Sequence, residues 1–222
     1  LVASVMYKQM HYDPADPWNL ACDRLVLSEG HAVPVVYAAY ADLGGAVGTS
    51  AEDKRTLTLD DLKTLRELDS VLDGHPNPAE GFPFFDAATG SLGQGLSVGA
   101  GLALAARLAG IDNRIFVFIG DGESREGQIA EALDFIMDHK LTRICPIFNC
   151  NGQGQADYVS PQQSPDRVAA KLQACGYEVT RIDGHDLAAI DAALSKVGTT
   201  AVPMAIVAET QKGWGVAALK DK

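Results

Sequence analysis

The sequence predicts an α/β fold: a single three-layer domain over residues 1–222, built on a mostly parallel sheet. Three observations carry that expectation. From residue 90 onward, short apolar runs alternate with stretches of helical period, which is the rhythm of strand–helix crossovers. Two runs, 114–119 and 143–148, are apolar without alternation after a basic first residue, as in strands covered on both faces. Of 222 residues 47% are hydrophobic and 21% charged, enough to bury a large core and too apolar for a disordered chain.

The elements follow in order. Residues 1–10 read as the end of a helix, which Pro14 and Pro17 keep from continuing. Residues 24–27 are a short strand, and 31–43 a helix that stops at Gly44-Gly45. Leu59, Leu62, Leu65 and Leu68 recur three apart after the candidate cap Thr58, which predicts an amphipathic helix over 59–68. Residues 73–86 carry Gly74, Pro76, Pro78, Gly81 and Pro83 and form a long loop, a kind that often carries function.

Gly90 to Gly95 opens an Ala/Leu/Gly-rich helix ending near Gly110. A strand at 114–119 precedes a helix over 128–140, where Ile129, Leu133, Ile136 and Met137 share one stripe. The strand at 143–148 is interrupted by Pro146. A helix at 168–174, a strand at 177–182, a helix at 187–197 and a strand at 202–208 complete the alternation. Right-handed crossovers join parallel strands in such an order.

Charge narrows the function. Lys and Arg total 18 against 29 Asp and Glu, a net charge of −11, which speaks against nucleic acid or an anionic membrane as partner. Cys22, Cys145, Cys150 and Cys175 form no CxxC pair, so buried thiols in a reducing, cytoplasmic compartment are expected. No apolar run reaches 18 residues, and residues 1–10 lack a signal-peptide pattern.

Ligands of open parallel sheets collect at the carboxyl ends of strands. There Gly120-Asp121-Gly122 follows one strand and Asn149-Cys150-Asn151-Gly152 the next. Taken singly, Asp-Gly and Asn-Gly are ordinary turn pairs. Taken together, Asp121 and Asn151 bring a carboxylate and an amide oxygen to one edge, a donor set suited to Mg²⁺ and a diphosphate. On that view Asp121 lies at a solvent-facing strand end outside the core, and most other acids lie on solvated helix faces. Gly90 to Gly95 has the wrong glycine order for a dinucleotide fingerprint, and no GxxxxGK[ST] occurs.

These residues resemble a known family. The Gly120-Asp121-Gly122 segment with Asn151 thirty residues past Asp121 is similar to the thiamine-diphosphate motif. Leu27-Ser28-Glu29-Gly30-His31, Gly74-His75-Pro76, the stretch from Thr89 to Gly95, GDGESREG from Gly120 to Gly127, and Asp183-Gly184-His185-Asp186 resemble, in order, segments of transketolase. The resemblance implies the thiamine-diphosphate-binding fold and the N-terminal, diphosphate-binding domain, truncated at both ends relative to the family.

It also implies roles. Asp121, the Asn151 side chain and the Gln153 backbone carbonyl would hold Mg²⁺, with Ca²⁺ or Mn²⁺ as substitutes. Gly122 would meet the diphosphate through its amide, and His31 would stand by the phosphates and the thiazolium. His75 would serve proton transfer at substrate oxygens. Gly90, Ser91 and Leu92 would bind the aminopyrimidine, and Glu126 would lie at an interface between active sites. His11 and His139 are expected to be solvated, and His185 to belong to a turn or helix start.

The implied activity is transfer of a two-carbon ketol unit from a ketose phosphate to an aldose, as in the pentose phosphate pathway. It would require the C-terminal part of a transketolase, with its pyrimidine-binding domain, in a homodimer or heterotetramer, and self-association is expected. A 1-deoxyxylulose-5-phosphate synthase would lack the GDG-x3-EG form. A 2-oxoacid dehydrogenase α-subunit would lack the two histidine segments. A non-catalytic cofactor-binding or interaction subunit is the alternative from a different class.

Overall fold

A computed structural model describes residues 1–220. Five strands form one parallel sheet: β1 (Arg24–Leu27), β4 (Ile115–Gly120), β5 (Ile144–Cys150), β6 (Glu178–Asp183) and β7 (Met204–Glu209). Their spatial order is β1-β4-β5-β7-β6, and every pair in it is parallel. A separate antiparallel hairpin pairs β2 (Ala46–Gly48) with β3 (Lys54–Thr56). The sequence reading did not anticipate it, because each arm has three residues and β3 is polar and exposed.

Side-chain alternation in the central strands produces the layers. Phe116 and Phe118 of β4 with Cys145 and Ile147 of β5 face one core. That core takes in α2 (Val33–Asp42), α6 (Leu187–Leu194) and residues near the N-terminus. Ile115, Val117 and Ile119 face a second core with α3 (Gln94–Ala109), α4 (Gly127–Asp138) and α5 (Pro165–Ala174). The expected mostly parallel, three-layer α/β fold is therefore present. Pro146 is accommodated opposite Val117, and the ladder to β7 opens one residue later at Ile147.

The N-terminal helix is α1 (Val2–Ser4), continued by a π-helical turn over Val5–Gln9. The helix expected over 59–68 is corrected to a 3₁₀ turn, Asp61–Thr64, and Arg66 takes a left-handed φ of 66°. A spacing of three drifts by about 60° per step on a helix of 3.6 residues per turn. Four leucines so spaced cannot share one stripe. Leu62 and Leu65 pack on the core, while Leu59 and Leu68 are 61% and 98% exposed. Asp61 accepts from the Thr58 amide and hydroxyl, each at 2.7 Å, and is gripped by Arg55.

The loop at 73–86 is pinned by aromatics. Phe82, Phe84 and Phe85 pack with Tyr37 and Tyr40 of α2, with Tyr37 and Phe82 ring centroids 4.7 Å apart. The Tyr37 hydroxyl lies within hydrogen-bond reach of the carbonyls of Asp73, at 3.1 Å, and His75, at 3.3 Å. That pair of contacts ties the His75 backbone to α2.

Candidate functional site

The carboxyl ends of β1, β4, β5 and β7 open onto a cleft of about 330 Å³. His31, His75, Gly90, Leu92, Asp121, Gly122, Asn151 and Gln153 line it. Eight of the ten expected site residues are thus brought together from segments more than a hundred residues apart. Ser91 and Glu126 stand outside the lining. Ser91 is an exposed turn residue whose carbonyl accepts from Gln94 at 3.3 Å. Glu126 is half-buried at the start of α4.

Close packing shapes the histidine end. Gly90 has φ 131°, and a Cβ there would stand 2.7 Å from Cδ2 of His75. A Cβ on Gly30 would stand 2.8 Å from the Gly90 Cα, so both positions require glycine. The Thr89 hydroxyl donates to the Leu27 carbonyl at 2.6 Å and ties this stretch to β1. His31 lies in a 3₁₀ turn, Gly30–Ala32. Desolvation lowers its pKa, and the nearby His75 and Lys212 lower it further.

Asp121 is corrected from the solvent-facing position expected of it: it is 2% exposed. Its carboxylate accepts the amides of Gly122 at 2.7 Å and Gly152 at 2.6 Å. Burial raises its pKa, and these hydrogen bonds oppose the rise. The Gly122 amide, expected to face a diphosphate, therefore turns back onto Asp121, because a buried carboxylate collects the nearest donors. Asn151 Oδ1 accepts from the Gln153 amide at 2.9 Å. Among the described residues, no three His, Cys, Asp or Glu side chains gather as a metal cluster. The expected set is of another kind: one carboxylate, one amide oxygen and one backbone carbonyl, all hard oxygen donors that could hold Mg²⁺.

Sequence reasoning missed the acids beneath the cleft. Glu29 and Glu123 are buried, at 6% and 2% exposure, rather than solvated on helix faces. Glu123 accepts from the Ser28 hydroxyl, the Gly93 amide at 2.6 Å and the Gly120 amide at 3.0 Å. It thereby joins the exit of β1, the start of α3 and the turn after β4. Gln163 Nε2 donates at 2.8 Å to the carbonyls of both Asp121 and Gly122, supporting the loop from below. Lys212 and Gln155 also line the cleft. Their one sequence signal is a place inside the segments Leu27 to His31 and Gly120 to Gly127, which by itself does not tell a buried acid from a surface one.

The family described as transketolase, thiamine diphosphate binding domain, matches residues 1–222. Transketolase from Mus musculus is 35% identical over 223 residues, covering 100% of this chain and 33% of that protein. The 6-deoxy-6-sulfo-D-fructose transketolase subunit SqwG from Clostridium sp. (strain MSTE9) is 32% identical, with 100% of this chain and 77% of that protein covered. The crystal structure of transketolase from Campylobacter jejuni superposes with a TM-score of 0.84 at 31% identity, covering 99% of this chain and 34% of that one. This chain thus spans about a third of the length of the mouse enzyme.

Parallel sheet, carboxyl-edge cleft and family match together define the class, an α/β thiamine-diphosphate-binding domain. Within that class the chain belongs to the transketolase N-terminal domain family. Among the described residues, no helix is long and apolar enough to cross a membrane.

Proposed function

We propose that this chain is the diphosphate-binding part of a transketolase, active only in an assembly with a pyrimidine-binding domain. The observation that carries the reading is the convergence of His31, His75, Asp121, Gly122, Asn151 and Gln153, from four separate segments of the chain, on one cleft. When bound, thiamine diphosphate supplies the nucleophilic carbon that carries a two-carbon ketol unit from a ketose phosphate to an aldose.

The chain's residues bind and orient. Asp121, the Asn151 amide oxygen and the Gln153 carbonyl hold Mg²⁺, and the carboxylate keeps lone pairs beyond its two amide donors. Gly122 contributes room, since a Cβ there would meet nothing nearer than 3.8 Å. His31 stands by the anionic end, where burial and the nearby His75 and Lys212 disfavour its protonated form. His75, packed on Gly30 and Gly90, exchanges protons with substrate oxygens. Gly90, Ser91 and Leu92 meet the aminopyrimidine, and Glu126 faces a second site. Leu92 is 44% exposed beside the cleft, which supports a covering partner domain. The relative of which this chain spans 77% is called a subunit, which supports the separate-subunit form of the reading.

The test is ketol transfer from hydroxypyruvate to an aldose, with Mg²⁺ and thiamine diphosphate, with and without a pyrimidine-binding partner. Cofactor binding with no turnover is expected from the chain alone, and turnover on adding the partner. Robust transfer by the lone chain would overturn the shared-site reading. No transfer with a cofactor-loaded partner assembly would favour a non-catalytic binding subunit.

A further inference from the structure

The turn between β6 and α6, Asp183-Gly184-His185-Asp186, packs on the segment that leaves β7. The Gly184 amide donates to the Glu209 carbonyl at 2.8 Å, and a Cβ on Gly184 would stand 2.4 Å from Cγ2 of Thr210. Both aspartates are used within the turn. Asp183 accepts the His185 amide at 2.8 Å, and Asp186 caps α6 through Ala188 at 2.9 Å and Ala189 at 3.2 Å. The imidazole is left to reach across. Its Nε2 accepts the Gln211 amide at 2.8 Å, and its ring stacks on Trp214 with centroids 4.2 Å apart and planes 20° apart.

The segment is also tied from the other side. The Thr210 hydroxyl donates to Asn149 Oδ1 at 2.6 Å, and the Thr210 amide donates to the Cys150 carbonyl at 3.0 Å. Between these tethers lies Lys212, which lines the cleft together with His31, Asp121 and Asn151. In a chain of net charge −11, a lysine placed there gives the cleft a local attraction for anions that the whole molecule lacks. A backbone already tied on both sides removes the cost of ordering this segment when Lys212 meets an anion.

We propose that His185 is a positioning residue of the cleft: by clasping residues 211–214 it sets where the Lys212 ammonium meets the phosphate end of a bound ligand. The proposal rests on the cofactor reading above for the ligand's identity, and on the clasp geometry for the role of His185. Neutral His185 with its proton on Nδ1 is the form that accepts from Gln211. Loss of the ring releases both the hydrogen bond and the stack. Lys212 then keeps its charge and loses its place.

The experiment uses the full chain in a Trp18→Phe background, so that Trp214 alone reports. His185→Ala, His185→Gln, Lys212→Met and the double variant His185→Ala/Lys212→Met are compared. Three measurements are made: Trp214 emission, the His31 titration by NMR without cofactor, and calorimetric affinity for Mg²⁺ with thiamine diphosphate. His185→Ala is expected to red-shift Trp214, raise the His31 pKa and weaken binding about three- to tenfold, the scale of one or two hydrogen bonds. His185→Gln, which keeps an acceptor, recovers part of each.

The decisive comparison is the double variant: with Lys212 already removed, losing His185 should add nothing to the His31 shift or to the affinity loss. Additive losses, or an unchanged His31 and affinity in His185→Ala, overturn the proposal. If His185→Ala does not fold, His185→Gln and Trp214→Leu are tested against Lys212→Met in the same way. Failure of the unaltered chain to bind the cofactor would sink the cofactor reading, while Trp214 and His31 would still decide the clasp.

Discussion

The Asn149 side-chain nitrogen lies 3.2 Å from both carboxylate oxygens of Glu29, although β4 separates their strands. The contact passes over Gly120, where an added Cβ would stand 3.6 Å from Oε2 of Glu29. Asn149 in turn accepts from Thr210. The ends of β1, β5 and β7 are therefore joined by one polar chain along the floor of the cleft.

Glu29 makes stability depend on pH. Burial pushes its carboxyl from an ordinary value of 4.5 up to about 7, with the charges of Glu123 and Asp121 adding and Asn149 opposing. Between those values the folded chain holds a proton that the unfolded chain has released, so the stability contribution falls as pH rises. Glu29→Gln removes the ionisation and keeps an acceptor for Asn149. The variant should be more stable than the parent by about 1–3 kcal/mol at pH 8, and the gap should close toward pH 4.5. Urea melts at several pH values check this, and parallel stability curves would show that Glu29 titrates normally.

Glu123 is a different kind of acid, an acceptor surrounded by donors. Glu123→Gln turns one carboxylate oxygen into an NH₂ that meets the Ser28 hydroxyl and Gly93 amide or the Gly120 amide. A loss of about 1–3 kcal/mol is expected, the scale of a buried donor left without a partner. Chemical denaturation measures it. A change under half a kcal/mol would mean that the three-way junction is not held as described.

Asp121 couples binding to folding. Asp121→Asn keeps the shape but removes the charge, and its NH₂ opposes the amide of Gly122 or Gly152. The Mg²⁺-dependent part of thiamine-diphosphate binding should disappear, with a stability loss of about 1–2 kcal/mol. Calorimetry with and without the metal, and circular dichroism as the control, separate the two effects. Unchanged cofactor affinity in a folded variant would falsify the metal assignment.

The two cleft histidines should separate by kinetics. In an assembly with the pyrimidine-binding part, His75→Ala should lower kcat by about 10²–10⁴ with cofactor affinity nearly intact. His31→Ala should weaken cofactor binding as well. Identical behaviour of the two variants would remove the distinction drawn between them.

What the sequence disclosed followed from period and order. The continuous apolar stretch at 115–119 announced a strand covered on both faces, and β4 is that strand, with both cores against it. The cleft was legible because ordered motifs mark loops at one sheet edge, and eight of the ten expected site residues do line it. The leucines at 59, 62, 65 and 68 misled because a spacing of three is the period of a 3₁₀ turn, and on an α-helix it drifts off a single face. Glu29 and Glu123 were illegible because a carboxylate reads as solvated unless its donors are known. Those donors are backbone amides, a hydroxyl and Asn149, brought from segments up to 120 residues away.

The strand order has a consequence for assembly. β7 comes last of the five in sequence yet lies between β5 and β6 in space, so β6 finds no ladder partner in the sheet until β7 has arrived. During synthesis from the N-terminus, β1, β4 and β5 can pair as they emerge, while β6 and α6 wait. The insertion of one segment, Met204–Glu209, then closes two ladders at once and carries Thr210 to Asn149. Completing the sheet and completing the floor of the cleft are therefore the same late, non-local event, which places this topology among those whose folding rate is governed by long-range pairing.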